Sequence, residues 1–182
     1  MKVIRDSIFE TNSSSAHALI YRKCEKPDNF TEIKLDYYGW GYEVLSTIQE
    51  KLSYFFTYSY VRMLEYDVNR SAIESEEAFL DDLNNYIKNN ECTDYLKKLN
   101  EFKDFKKLVK IVKKHSDFKL IKIEEIGIDH QSVENKKLKE FKNLEEIIYN
   151  DNYGILICND NYNPKDFDTE TKILKDWKIM GI

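Results

Sequence analysis

Asn12-Ser13-Ser14-Ser15, with His17 two residues on, is the densest grouping of chemically useful side chains in this sequence. Serine hydroxyls and the N–H groups of a polar turn suit phosphate or carboxylate oxygens. A histidine, with an unperturbed pKa near ~6.5, suits proton transfer. Two further polar groups follow apolar runs: Asp129-His130-Gln131-Ser132 after "IEEIGI", and Asn159-Asp160-Asn161 after "YGILIC". Two of the three histidines therefore fall in these groups. His17, His130 and Asp129 are the candidate catalytic residues. Asn12, Ser13, Ser14, Ser15, Gln131, Ser132, Asn159 and Asp160 are the candidate ligand-binding residues. Asp129 or Asp160 would orient an imidazole or hold a divalent ion. No HxxxH or HxH spacing is present, so no metal ligands are assigned. No GxSxG elbow is present either, which argues against a serine nucleophile. The sequence indicates no cofactor and leaves open whether the site is catalytic.

Each group also has a purely structural reading. The serine run would cap backbone groups in a loop. Ser132 would cap a following helix, and Asn159-Asp160-Asn161 would simply stop a strand. Trp40, between Gly39 and Gly41 in "DYYGWGYE", would either tuck into the core or stack on a ring at the mouth of a crevice.

The elements that must position these residues follow from periodicity. Strands are expected over 2–9, 16–22 and 31–38, the last alternating Ile33 and Leu35 with polar neighbours. From 43 to 66 apolar residues recur every three or four positions, which predicts a long amphipathic helix rich in aromatics. Ser71 with Glu74 reads as a capping box that opens a second helix ending near Lys88. A third helix is expected from Thr93 to about His115, and a strand over 118–129. A fourth helix covers "VENKKLKEFKNLEEIIYN", a strand covers "YGILICND", and a short helix lies near 169–178. The order of elements is that of an α+β domain spanning 1–182. Its mainly antiparallel or mixed sheet would carry about four helices on one face. Strand ends are where such sheets gather ligand groups.

Composition narrows the classes. Hydrophobic residues make up 42% of the chain, enough for a core, and Gly and Pro number only 5 and 2. Three separated cysteines without a CxxC pair argue against a disulfide framework. No signal-peptide pattern and no run near ~20 apolar residues is present. A cytoplasmic protein with no membrane partner is the expectation. Net charge is −5, yet residues 96–123 hold ten lysines against three acids. Lys103, Lys106, Lys107, Lys110, Lys113 and Lys114 recur at helical spacing opposite the apolar stripe. They form either a solvated face or an anion-binding one, and without arginine any nucleic-acid contact would be to the backbone. Glu74, Glu76, Glu77, Asp81 and Asp82 form an acidic counterpart on the second helix.

The motifs "FETNSSSAH", "GWG" before a helix containing "KLSY", "IDHQS", and "NDN" after an apolar strand together resemble a family of uncharacterised proteins. That family occurs in low-GC Gram-positive bacteria and their phages. Members often carry Thr or Ser at the position of Ala16, and Gly at that of Cys158. The resemblance implies a phage or prophage accessory protein. Two functions fit that setting. One is a polar pocket for a phosphorylated or nucleotide-like ligand. The other is a non-enzymatic protein that inhibits a host or defence-system component through a charged surface.

Overall fold

A computed structural model describes residues 8–10, 15–21, 32–39, 43–115, 120–128, 143–159 and 178–179. They form an α+β structure. Its first half opens with β1 (Ile8–Glu10), β2 (Ser15–Tyr21), β3 (Glu32–Tyr38) and β4 (Glu43–Leu45). The helices α1 (Ile48–Val61), α2 (Glu76–Asn89), α3 (Asp94–Lys98) and α4 (Phe102–His115) follow. The chain then runs through β5 (Leu120–Ile128), α5 (Leu144–Tyr149), β6 (Tyr153–Asn159) and β7 (Lys178–Ile179). The strands divide into two sheets. One is antiparallel, in the order β1-β2-β6-β4, with β7 pairing β2 beyond the end of β1. The other is the parallel pair β3–β5.

Residues 43–45 are strand, not the first turn of a helix. Val44 and Leu45 match the helical spacing, but the hydrogen bonds begin later. Thr47 is the N-cap of α1: its hydroxyl accepts the Glu50 N–H at 3.2 Å, and the Glu50 carboxylate accepts the Thr47 and Ser46 N–H groups at 2.9 and 2.8 Å. This capping box satisfies donors that a helix leaves unpaired, so it sets the start. The box read at Ser71 is likewise replaced. Residues Arg70–Ala72 make a 3-10 turn, and Ser75 caps α2 by accepting the Ala78 N–H. The expected third helix breaks at Leu99, which is extended, into α3 and α4. Of the expected fourth helix, Leu144–Tyr149 is described as helix. Residues 133–142 and most of the tail segment 169–178 lie outside the described residues; Lys178 begins β7.

The main correction concerns α1. It is buried on nearly every side rather than amphipathic, with Leu52, Phe55, Phe56 and Tyr60 almost fully enclosed. β3 and β5 pack along it, α4 crosses it, and α5 touches it. Phe56 meets Phe105 of α4 edge to face at 5.3 Å, and Tyr60 stacks on Phe79 of α2 at 5.4 Å. A helix enclosed this way must satisfy its polar side chains internally. Ser53 and Thr57, one turn apart, accept the N–H groups of Lys34 and Asp36 at 3.2 Å each. These bonds occupy N–H groups of β3, whose other partner is β5. Lys51, fully buried, donates to the carbonyls of Asn150 and Tyr153 at 3.0 Å each and so ties the α5–β6 turn to the core.

α1 ends in a π-helical turn, Arg62–Tyr66. Arg62 is buried with its Nε 3.4 Å from Glu101, and Asp67 accepts the Glu101 N–H at 2.8 Å. The end of α1 is thereby held to the start of α4. Among the described residues no helix is long and apolar enough to cross a membrane.

Candidate functional site

The backbone brings two of the three polar groups to one end of the antiparallel sheet. β2 runs antiparallel to β6 in a register that sets Ser15 opposite Asn159 and His17 opposite Ile157. Ser15 ends the serine run, and Asn159 opens the Asn159-Asp160-Asn161 group. Asn12, Ser13, Ser14 and Asp160 lie outside the described residues, adjoining these paired ends. His17 occupies a row across the sheet that reads Phe9, His17, Ile157, Glu43.

Trp40 and the third polar group adjoin the corresponding end of the parallel pair. Tyr38 stands opposite Ile128 where β3 and β5 finish together. Asp129, His130, Gln131 and Ser132 continue from Ile128 and Trp40 from Gly39; all five lie outside the described residues. Gly39 has φ 125, a value that side-chain-bearing residues avoid, so the turn out of β3 requires glycine here. Four residues separate Tyr38 from Glu43, so the two lie at most about 18 Å apart. Glu43 in turn pairs with Ile157, two residues before Asn159. One short link therefore joins the end of the parallel pair to the end of the antiparallel sheet where Ser15 pairs with Asn159.

Carboxylates of Asp36, Glu43 and Glu50 flank that link, a feature the sequence reading missed. Burial, then Glu50 and Asp36, push the Glu43 carboxyl above its usual range. Burial, then Asp36, Glu43 and Glu50, push the Tyr38 hydroxyl up in the same way. Each shift has the same physical origin: a negative charge is harder to form in poorly hydrated surroundings beside other carboxylates. Among the described residues no three His, Cys, Asp or Glu side chains gather as a metal site.

A second locus appears between α4 and α5, around the histidine outside the polar groups. Lys107, Ile111 and His115, at successive turns of α4, face Leu144, Glu145 and Tyr149 across a cavity of about 600 Å³. The His115 ring stacks on Tyr149 with centroids 4.0 Å apart and planes 23° from parallel. His115 Nε2 lies 2.7 Å from Glu145 Oε1, the same oxygen that accepts from Lys114 Nζ at 2.6 Å. Lys114 first, then His115, hold the Glu145 carboxyl below its usual range. Lys107 was legible as part of the lysine face of α4, but Glu145 and Tyr149 come from thirty or more residues away.

All six stripe lysines are exposed. Among the described residues only Lys114 of the six has a carboxylate partner within 4 Å. The acidic face of α2 is more engaged: Glu76 accepts the Tyr60 hydroxyl at 2.9 Å and Asp82 accepts the Thr93 hydroxyl at 3.1 Å. The chain matches no protein-family model, no curated protein and no solved structure.

Proposed function

We propose that the protein is an accessory protein of the phage or prophage type that binds a phosphorylated or nucleotide-like ligand in a polar crevice at the strand ends. What supports the reading is the β2–β6 register, which pairs Ser15 with Asn159 and so joins two polar groups that are far apart in sequence. The phage setting rests on the motif resemblance. In this reading Ser13, Ser14 and Ser15 hold the anionic oxygens with their hydroxyls and backbone N–H groups. His17 or His130 handles a proton, and Asp129 or Asp160 orients the imidazole. Trp40 stacks on the ring of the ligand.

A thermal-shift screen against nucleotides and phosphate esters tests this, run in parallel on the wild type, Ser14→Ala and His130→Ala. A ligand at about a hundred times its Kd stabilises a single site by about 2.7 kcal/mol. The expected result is a nucleotide or phosphate ester that raises the wild-type Tm by several degrees and either variant's by far less. Equal shifts in all three proteins, or none in the wild type, would remove the crevice as the site.

A further inference from the structure

We propose that the outer face of α4 and the adjoining α4–α5 cavity form a binding site for single-stranded nucleic acid. Three observations on the described side chains carry this. The first is uncompensated charge. In a chain of net charge −5, six exposed lysines crowd one helix, and five of them lack a carboxylate within 4 Å among the described residues. Like charges at i,i+3 and i,i+4 repel one another, and the described fold offsets this only at Lys114, paired with Glu145, and at Lys106, whose ammonium lies 5.2 Å from the Phe102 ring centre.

The second is spacing. Lys103, Lys107, Lys110 and Lys114 are separated by four, three and four residues, which keeps them in one row along the helix. Eleven residues at 1.5 Å rise make a row about 16 Å long, the reach of a few nucleotides. A row of ammonium groups tracks a sugar–phosphate chain, and its affinity comes with counterion release.

The third is what the row leads to. Lys107 lines the cavity together with His115 and Tyr149, whose rings stack on each other; Tyr149 packs against the core, so the partly exposed His115 ring is the one that can meet a base. Ring faces beside a basic track are the combination by which single strands are held, since every base has a face to stack. A duplex keeps its bases stacked internally and has nothing to offer these rings. An acidic protein would engage the lysines and leave the rings idle. Residues 102–115 contain no arginine, the side chain that reads guanine edges, so the site is expected to be indifferent to sequence.

Fluorescence anisotropy with a labelled twelve-nucleotide oligo-dT, at 50 and 200 mM NaCl, tests the site on the full chain. The wild type is expected to bind, with affinity falling as salt rises by about 0.7 in log–log slope per phosphate neutralised. The double variant Lys107→Glu/Lys110→Glu should lose at least about tenfold in affinity, with its Tm kept, because both side chains are exposed. His115→Ala should lose roughly five- to tenfold for the single strand, and His115→Phe should recover it, as stacking predicts. No binding by the wild type at 100 μM protein and ~50 mM salt overturns the proposal, as does wild-type affinity in the lysine variant. Equal affinity for duplex, or polyglutamate binding that His115→Ala leaves untouched, would assign the face to another polyanion and reject the single strand.

Discussion

α1 and α4 are both fourteen-residue helices, and both carry polar side chains, yet they use them in opposite ways. On α1 the polar residues Lys51, Ser53 and Thr57 are buried, and each meets a backbone group of a neighbouring segment. On α4 the lysines stand in solvent, and five of the six have no ionic partner among the described residues. Burial explains the difference. A polar group removed from water costs several kcal/mol unless it is hydrogen-bonded, and three of the buried polar residues of α1 have such partners, whereas the Ser59 hydroxyl is buried without one among the described residues. An exposed ammonium bears no such cost and can stay uncommitted. The polar residues of α1 are thus occupied by stability, and those of α4 remain available to a partner.

Lys51→Met tests the α1 side most severely. It takes the ammonium donor from two partly buried carbonyls, of which Asn150 keeps the Tyr153 N–H, and it also removes a buried charge. A loss of about 2 kcal/mol is expected, a fall in Tm of roughly 4–8 °C, with oligonucleotide binding retained. A variant as stable as the wild type would break the contrast. Thr57→Val keeps the shape and removes only the acceptor for the Asp36 N–H. It should cost about 1 kcal/mol and speed hydrogen exchange at the Asp36 amide. Slow exchange with no loss of stability would show that this bond is dispensable.

Glu43 sharpens the comparison from the other direction, because its carboxylate, partly desolvated and close to Glu50 and Asp36, sits in an unfavourable place. Its pKa is raised in the fold, so the folded protein binds the proton more readily than the unfolded chain does. Its contribution to stability therefore falls as pH rises from the unfolded pKa through the folded one. Glu43→Gln should raise Tm at pH 7 by about 1 °C, the effect being held to roughly 0.3 kcal/mol by solvent screening. Thermal unfolding at pH 3.5, where both forms are protonated, should show no difference. A lower Tm at pH 7 would mean that the carboxylate has a favourable contact instead.

Local signals were read with uneven success, for identifiable reasons. The alternation of Ile33 and Leu35 in β3 and the apolar run of β6 pointed directly to strands. The spacing of Val44 and Leu45 matched a helix, and the Thr47–Glu50 capping box, three residues on, was the stronger signal. Ser71 and Ser75 both precede acidic residues, and nothing local separates them; the turn from Asp67, whose carboxylate reaches Asn69 and Glu101, makes the choice. The aromatic-rich stretch of α1 read as one apolar face, whereas its serines and threonine are buried too. No periodicity can reveal that, since it depends on which segments pack around the helix. Of the candidate site, the polar groups were visible as composition, and only strand register relates Ser15 to Asn159.

What the sequence determined by itself is what near neighbours along the chain decide: strand alternation, capping chemistry, and the lysine row at 103, 107, 110 and 114 that the helical repeat alone places on one face. The tertiary structure decided the rest. It enclosed α1, split the strands into an antiparallel sheet and a parallel pair, and carried Glu145 and Tyr149 to His115. Those contacts join residues tens of positions apart. Their free energy comes from desolvation and packing of many groups at once, which no local pattern encodes.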